Sequence, residues 1–292
     1  MLKKLVNKTS NYISLVKFAH TLFALPFALI GFFIAIRQNP GSFTYWLFIE
    51  VLLCMVFARN AAMAFNRYAD RRFDAQNPRT AWREIPAKVI KPNSALIFVI
   101  LNGFLFILTT YFINLLVFYL SPVALLVILG YSFTKRFTWL AHLVLGLGLS
   151  LSPIGAYLAV TGHFDVYPIL FSIIVLFWVS GFDIIYALQD EDFDKSLNLK
   201  SIPAFMGKKN ALIASIILHI ISASFVVIAG VMGHSGILFW AGAFVFIILL
   251  VYQHFLVKPN DISKVNLAFF TTNSFASIIF AAGVILDLFV KF

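Results

Sequence analysis

Nine apolar runs of about twenty residues each divide this sequence and leave little of it for water. They fall at roughly 20–37, 44–65, 94–112, 115–133, 138–160, 166–188, 209–230, 236–256 and 266–289. A helix rises 1.5 Å per residue, so about 20 mostly apolar residues cross a hydrocarbon core about 30 Å thick. Inside lipid each backbone N–H and C=O must find its partner within the chain, and helices achieve that locally. The runs therefore predict an all-α, polytopic membrane helix bundle with about nine transmembrane helices, one domain over residues 1–292. Only Ile113-Asn114 separates the third and fourth runs, which makes that hairpin tight; a re-entrant reading of it reduces the count to eight. Composition agrees, because 61% of residues are hydrophobic and only 12% are charged, against about 25% charged in an average chain. Residues 1–18 are mixed and basic, without the compact apolar core of a cleavable signal, so the first span is expected to act as its own insertion signal. Cys54, the only cysteine, lies in an apolar run and allows no intrachain disulfide.

The formal charge of +10 is a topology signal. With the N-terminus in the cytoplasm, the outer segments hold only Arg37 and Lys291, and the other 20 of the 22 Lys and Arg residues fall on the inner side. The positive-inside rule predicts this asymmetry, and the reversed orientation fails it. The expected location is a bacterial-type inner membrane. Anionic lipid head groups and anionic substrates are the natural partners of such a face, and no nucleic acid is needed to account for the charge.

Acids are scarce, 12 in 292 residues, yet four of them form two pairs. Asp70 and Asp74 lie in NRYADRRFD; Asp190 and Asp194 lie in YALQDEDFD. Each pair follows an apolar run and opens one of the two long inner loops, 66–93 and 189–208. A spacing of four puts both carboxylates on one helix face. Arg59, Met63, Asn66, Asp70 and Asp74 would share one face of a continuous helix, as would Asp183, Tyr186, Asp190 and Asp194. Arg59 would then lie about 16 Å from Asp70, inside the membrane, where ionisable groups usually face a cavity or a partner.

Two facing acidic pairs suit Mg²⁺ and a diphosphate. Mg²⁺ takes octahedral oxygen ligands and is typically held by one or two carboxylates plus phosphate oxygens. It stabilises charge on a leaving group as the bond to it breaks. Arg67, Arg71, Arg72, Arg79, Arg83, Lys135, Arg136 and Lys200 are candidates to complete the clamp. The 34 Phe residues are read mainly as lipid-facing or packed between helices, with a few available to shield a carbocation. His142, His163, His219, His234 and His254 show no metal-ligand spacing and are expected at helix ends or in loops; His20 enters the first span beside Lys17.

The stretch Asn66-Arg-Tyr-Ala-Asp70-Arg-Arg-Phe-Asp74, with Asn77-Pro-Arg79-Thr80 and Arg83-Glu-Ile-Pro86, resembles the first motif of the UbiA superfamily of intramembrane prenyltransferases. Asp183, Tyr186, Asp190 and Asp194 resemble its second motif. The likeness covers most of the chain, and the first motif is most similar to the 4-hydroxybenzoate polyprenyltransferase branch. It implies that Asn66, Asp70 and Asp74 hold metal-diphosphate from one side and that Asp190 and Asp194 do so from the other. Tyr131 and Lys135, in YSFTKR, are similar to a diphosphate-contacting pair, and Lys17 stands near where the family often has an Arg facing the aromatic substrate. The chain departs from the common pattern at Arg67, where many members have an acid, at Glu84-Ile85-Pro86 after Arg83, and at Lys88, where a Gly often follows. The Asn66-Arg67 and Arg83-Glu84-Ile85-Pro86 variants resemble a UbiA-like branch linked to futalosine-type menaquinone synthesis.

The resemblance implies an enzyme of ubiquinone or menaquinone biosynthesis. It would move a polyprenyl group from polyprenyl diphosphate to a hydroxylated aromatic acid, with Mg²⁺ as cofactor. The same chemistry on a dihydroxynaphthoate, homogentisate, haem or glycerol phosphate is the alternative. A cation or organic-ion transporter is the reading outside enzymology; acids clustered at one face, away from the bilayer midplane, disfavour it.

Overall fold

The computed structural model describes residues 12, 14–16 and 21–290. The long helices are α1 (Thr21–Gln38), α2 (Tyr45–Ala69), α4 (Pro92–Ile113), α5 (Leu115–Thr134), α6 (Ala141–Thr161), α7 (Val166–Ala187), α9 (Ile202–Met232), α10 (Ile237–Leu256) and α11 (Asn273–Phe289). Two short helices, α3 (Arg71–Asp74) and α8 (Glu191–Ser196), follow α2 and α7. Eight helices among the described residues are long and apolar enough to cross a membrane, and α1 is a ninth apolar helix of 18 residues. The tight hairpin is two separate helices. Asn114, extended at φ −165°, accepts the Val117 N–H and donates to the Leu158 and Ala159 carbonyls of α6.

Local chemistry sets the other ends. Thr44, Asp165 and Ser201 cap α2, α7 and α9 with side-chain oxygens, as expected for first-turn N–H groups that have no helical partner. The seventh run was expected from 209; its helix starts at Ile202, but Gly207 interrupts it at φ 76° and only the later part is the apolar span. A positive φ of this kind costs glycine nothing.

The most buried helix is α7, packed between α6 and α9. On its other side α6 meets α1, α1 meets α11, and α11 meets α10, while α2, α4 and α5 form a flank against α6. Trp178 on α7 is completely buried at the centre, among Phe23, Phe27, Phe182 and Phe246. Lipid is as apolar as these side chains, so close packing and interhelical hydrogen bonds must bind the helices. Ser215 and Ser222 of α9 donate to the Gly181 and Ile174 carbonyls of α7, and Trp178 donates to Asn273 of α11. The α1–α6 crossing depends on Gly31, where an added Cβ would lie 2.0 Å from the Pro153 carbonyl oxygen.

Gly31→Ala is therefore expected to force α1 and α6 apart and to destabilise the protein by about 1–3 kcal/mol, the usual range for overpacking. Gly155→Ala, where the Cβ would meet nothing within 4 Å, is the control. Thermal unfolding in detergent should show a lower midpoint for the first variant and little change for the second.

Candidate active site

The same backbone device builds both acidic stretches. Asp70 leaves helical geometry at φ −91°, ψ 5°, and α3 resumes directly after it. Asp190 closes the 3-10 turn Leu188–Asp190 at φ −105°, ψ 5°, and α8 follows. The continuous helices expected through 74 and 194 are thus each broken at the first aspartate. Side chains take the carbonyls that the next turn would have used: Arg71 bonds the Tyr68 carbonyl at 2.6 Å, Arg136 the Ala69 carbonyl at 2.9 Å, and Gln189 the Tyr186 carbonyl at 3.2 Å. Asp74 N–H still reaches the Asp70 carbonyl at 2.8 Å, so the break turns the first pair without unravelling it.

Each of the four aspartates meets one cation. Arg79 grips both oxygens of Asp190, Arg83 reaches Asp74 at 2.6 Å, Lys135 reaches Asp194 at 3.4 Å, and Arg136 reaches Asp70 at 3.4 Å. The Arg79 contact ties the first acidic stretch to the second across 111 positions of sequence. Planar guanidinium suits such a two-point grip, and lysine does not reproduce it. Asn77 adds a bond to Asp190 at 3.0 Å, and Tyr186 accepts a bond from Arg79 at 3.0 Å. Asn66 donates to Asp70 at 3.1 Å.

The acids retain unspent capacity. Asp74 is buried, and its Oδ2 has no hydrogen-bond partner. Burial, and then repulsion by Asp74, push the Asp70 carboxyl up to about 6. A cation between the two would relieve both costs. Carboxylate oxygens with the Asn66 amide are hard donors that suit Mg²⁺. Among the described residues no three acids, histidines or cysteines are close enough to hold an ion alone. Asn66, Asp70 and Asp74 on one side and Asp190 and Asp194 on the other would therefore share it with phosphate oxygens and water.

An apolar cavity of about 380 Å³ lies between α2, α5 and α6. Arg59, Met63 and Tyr131 line its end nearest the aspartates; Ile113 and Phe164 line the far end. The intramembrane Arg59 thus faces a cavity, as its cost in lipid requires.

A family model described as the UbiA prenyltransferase family matches residues 24–278. The chain belongs to this family. It is 32% identical over 263 residues to a 4-hydroxybenzoate octaprenyltransferase of Nitrosomonas europaea, covering 89% of this chain and 87% of the relative. The apo structure of a UbiA homolog from Aeropyrum pernix K1 superposes with a TM-score of 0.83 at 30% identity, covering 92% of this chain and 98% of that one. A UbiA homolog from Archaeoglobus fulgidus, bound to GPP and Mg²⁺, shares the fold with a TM-score of 0.73 at 22% identity, over 94% of this chain and 99% of that one. The protein is an integral membrane polyprenyltransferase of the UbiA family.

The fold gathers most of the residues that sequence had picked out. Asn66, Asp70, Asp74, Arg79, Arg83, Lys135, Tyr186, Asp190 and Asp194 interlock as described. Arg67 is buried beside them, and its Nε has no hydrogen-bond partner. Lys200 bonds the Phe137 carbonyl at 3.2 Å, shaping the loop after Lys135. Lys17 and His20 lie outside the described residues. The departures have local causes. Glu84 accepts a bond from Ser14 at 2.5 Å, and Lys88 has φ 60°, which explains why glycine suits that position.

Three features were missed. Asn77 was legible only as part of a motif. His142 stands at the N-terminal end of α6, as expected, but it is fully buried and lies 2.6 Å from Asp183, which its position did not reveal. His219 sits inside α9, bonded to His254 at 2.8 Å. Their partners lie 41 and 35 positions away, beyond any local pattern.

Arg79→Lys should weaken Mg²⁺-dependent binding of a prenyl thiodiphosphate at least about 10-fold, the loss of one charge-assisted bond. Isothermal titration in nanodiscs measures it, and binding equal to wild type would show that the grip on Asp190 is dispensable.

Proposed function

We propose that this enzyme transfers a polyprenyl group from polyprenyl diphosphate to a hydroxylated aromatic acid of the 4-hydroxybenzoate type, in quinone biosynthesis. One observation carries the reading: four aspartate–cation pairs gather at the ends of α2 and α7, and an apolar cavity lined by Arg59, Met63 and Tyr131 lies deeper in the bundle along α2 and α5. The diphosphate head belongs at the pairs and the tail in the cavity. The curated 4-hydroxybenzoate octaprenyltransferases and the neighbour bound to GPP and Mg²⁺ support this assignment.

The paired state explains how the site can take its substrate. Arg79, Arg83, Lys135 and Arg136 are neutralised by the acids until a diphosphate arrives. They then turn to phosphate oxygens, which frees the carboxylates for the metal. Bound Mg²⁺ supplies charge neutralisation on the departing diphosphate. The basic side chains hold the leaving group in place, and such preorganised charge is usually the largest catalytic term. The apolar walls of the cavity flank the allylic cation. An electron-rich ring carbon of the acceptor attacks C1, and aromaticity returns when a proton leaves.

The acid pairs are proposed to face the cytoplasm of a bacterial-type inner membrane, with the N-terminus on the same side. The 20-to-2 distribution of Lys and Arg supports this orientation. Arg67 and the Arg83-Glu84-Ile85-Pro86 variant favour one second reading, the same transfer to a dihydroxynaphthoate.

Asp70→Asn or Asp190→Asn should lower Mg²⁺-dependent product formation at least about 100-fold; full activity in both correctly inserted variants would sink the mechanism. In a Cys54→Ala background, Gln76→Cys should react with an impermeant maleimide only from the cytoplasmic side; labelling from outside would reverse the topology. Liquid chromatography–mass spectrometry on a panel of hydroxylated acids should rank 4-hydroxybenzoate against the dihydroxynaphthoate.

A further inference from the structure

We infer that Asp183, held by His142, is the base that takes the proton released by the aromatic acceptor. This rests on the prenyl-transfer reading and adds a role within it. Asp183 belongs to the apolar helix α7, about 10 Å inboard of Asp190 at 1.5 Å per residue. It takes no part in the four acid–cation pairs. Its Oδ2 lies 2.6 Å from Nδ1 of His142. His142 is completely buried, while the Asp183 side chain keeps 20% of its surface open.

The tautomer follows from the partners. The backbone N–H of Ile202, in the first turn of α9, points at Nε2 of His142 from 3.4 Å. An amide N–H only donates, so Nε2 accepts and Nδ1 carries the hydrogen that His142 gives to Asp183. One imidazole thus satisfies an otherwise unpaired helix-end N–H and fixes one carboxylate oxygen. The other oxygen, Oδ1, makes no hydrogen bond among the described residues. Asp183 shares the charge neighbourhood of Tyr131, which lines the apolar cavity, and of Lys135, which pairs with Asp194, and so stands at the junction between the two. That junction is where prenyl C1 must lie if the head is at the aspartate pairs and the tail is in the cavity.

A carboxylate there has a defined task. The ring carbon forms its bond to C1 while the C1–O electron pair leaves on diphosphate. The acceptor's hydroxyl proton passes to Asp183 Oδ1 in the same step, which spares the ring a full positive charge. The resulting dienone tautomerises to the phenol by losing its ring proton to water and regaining one on oxygen. The net products are prenylated acceptor, diphosphate and one proton, held first by Asp183. His142 is a positioning residue. It touches no substrate and acts by aiming Asp183.

Asp183→Asn tests this, because asparagine can still accept the His142 bond yet cannot take the proton. A general base typically contributes 10²–10⁴-fold. The variant in nanodiscs should lose at least about 100-fold in kcat for prenyl transfer. Its affinity for Mg²⁺ and a prenyl thiodiphosphate should stay within about threefold of wild type, since this variant leaves that cluster intact. It should still release prenyl alcohol, because water can capture the cation. His142→Gln, which can donate the same bond, should keep most of the activity, whereas His142→Leu should lower kcat with KM little changed. Transfer near the wild-type rate in Asp183→Asn would overturn the assignment, and so would loss of analogue binding together with transfer, which would make Asp183 part of the diphosphate site. Wild-type enzyme that prenylates no hydroxylated aromatic acid would instead overturn the prenyl-transfer reading itself.

Discussion

The structure depends on one constraint: four carboxylates at the edge of a hydrocarbon core need positive charge. Burying an unpaired charge is costly, and breaking a buried pair usually costs more than making it gained. This chain answers with one cation for each acid. The pairing does more than neutralise. Arg79, from the loop after the first motif, grips an aspartate of the second, so the two acidic stretches are held face to face. The same cations are the groups a diphosphate would recruit. A site held closed by its own ion pairs is therefore complementary to a ligand that brings both signs, a metal ion and a phosphate anion.

The rest of the fold would serve the proposed exchange. The buried helix α7 carries the second motif into the site from the centre of the bundle, with its position fixed by bonds from Ser215 and Ser222. The flank of α2, α4 and α5 leaves an apolar cavity against α6. Arg59 and Tyr131 line it on the side of the aspartates, the arrangement that a molecule with a charged head and a long apolar tail would require.

Much of this was legible in sequence because the physics was local. Helices in lipid must be apolar and of fixed length, so each of the nine runs falls on a long helix among the described residues. The acidic pairs were legible because acids are rare here and their spacing is helical. What sequence could not show was long-range. Breaks at Asp70 and Asp190 depend on which side chains reach terminal carbonyls, and Arg136 comes from the turn after α5, 67 positions away. His142 looked unremarkable because its meaning lies wholly in Asp183 and Ile202. Lys88 shows the reverse case: a departure from a common glycine was visible, but only the backbone angle explained it.

The central claim is that diphosphate and Mg²⁺ are taken together by exchange of the ion pairs. Binding of a non-reactive prenyl thiodiphosphate, titrated in nanodiscs across Mg²⁺ concentrations, tests it most directly. Affinity should rise steeply with Mg²⁺, Mg²⁺ affinity should rise equally with analogue by linkage, and the coupling should vanish when Asp70 and Asp190 are both replaced by asparagine. Affinity independent of Mg²⁺, or coupling that survives the double replacement, would contradict the account.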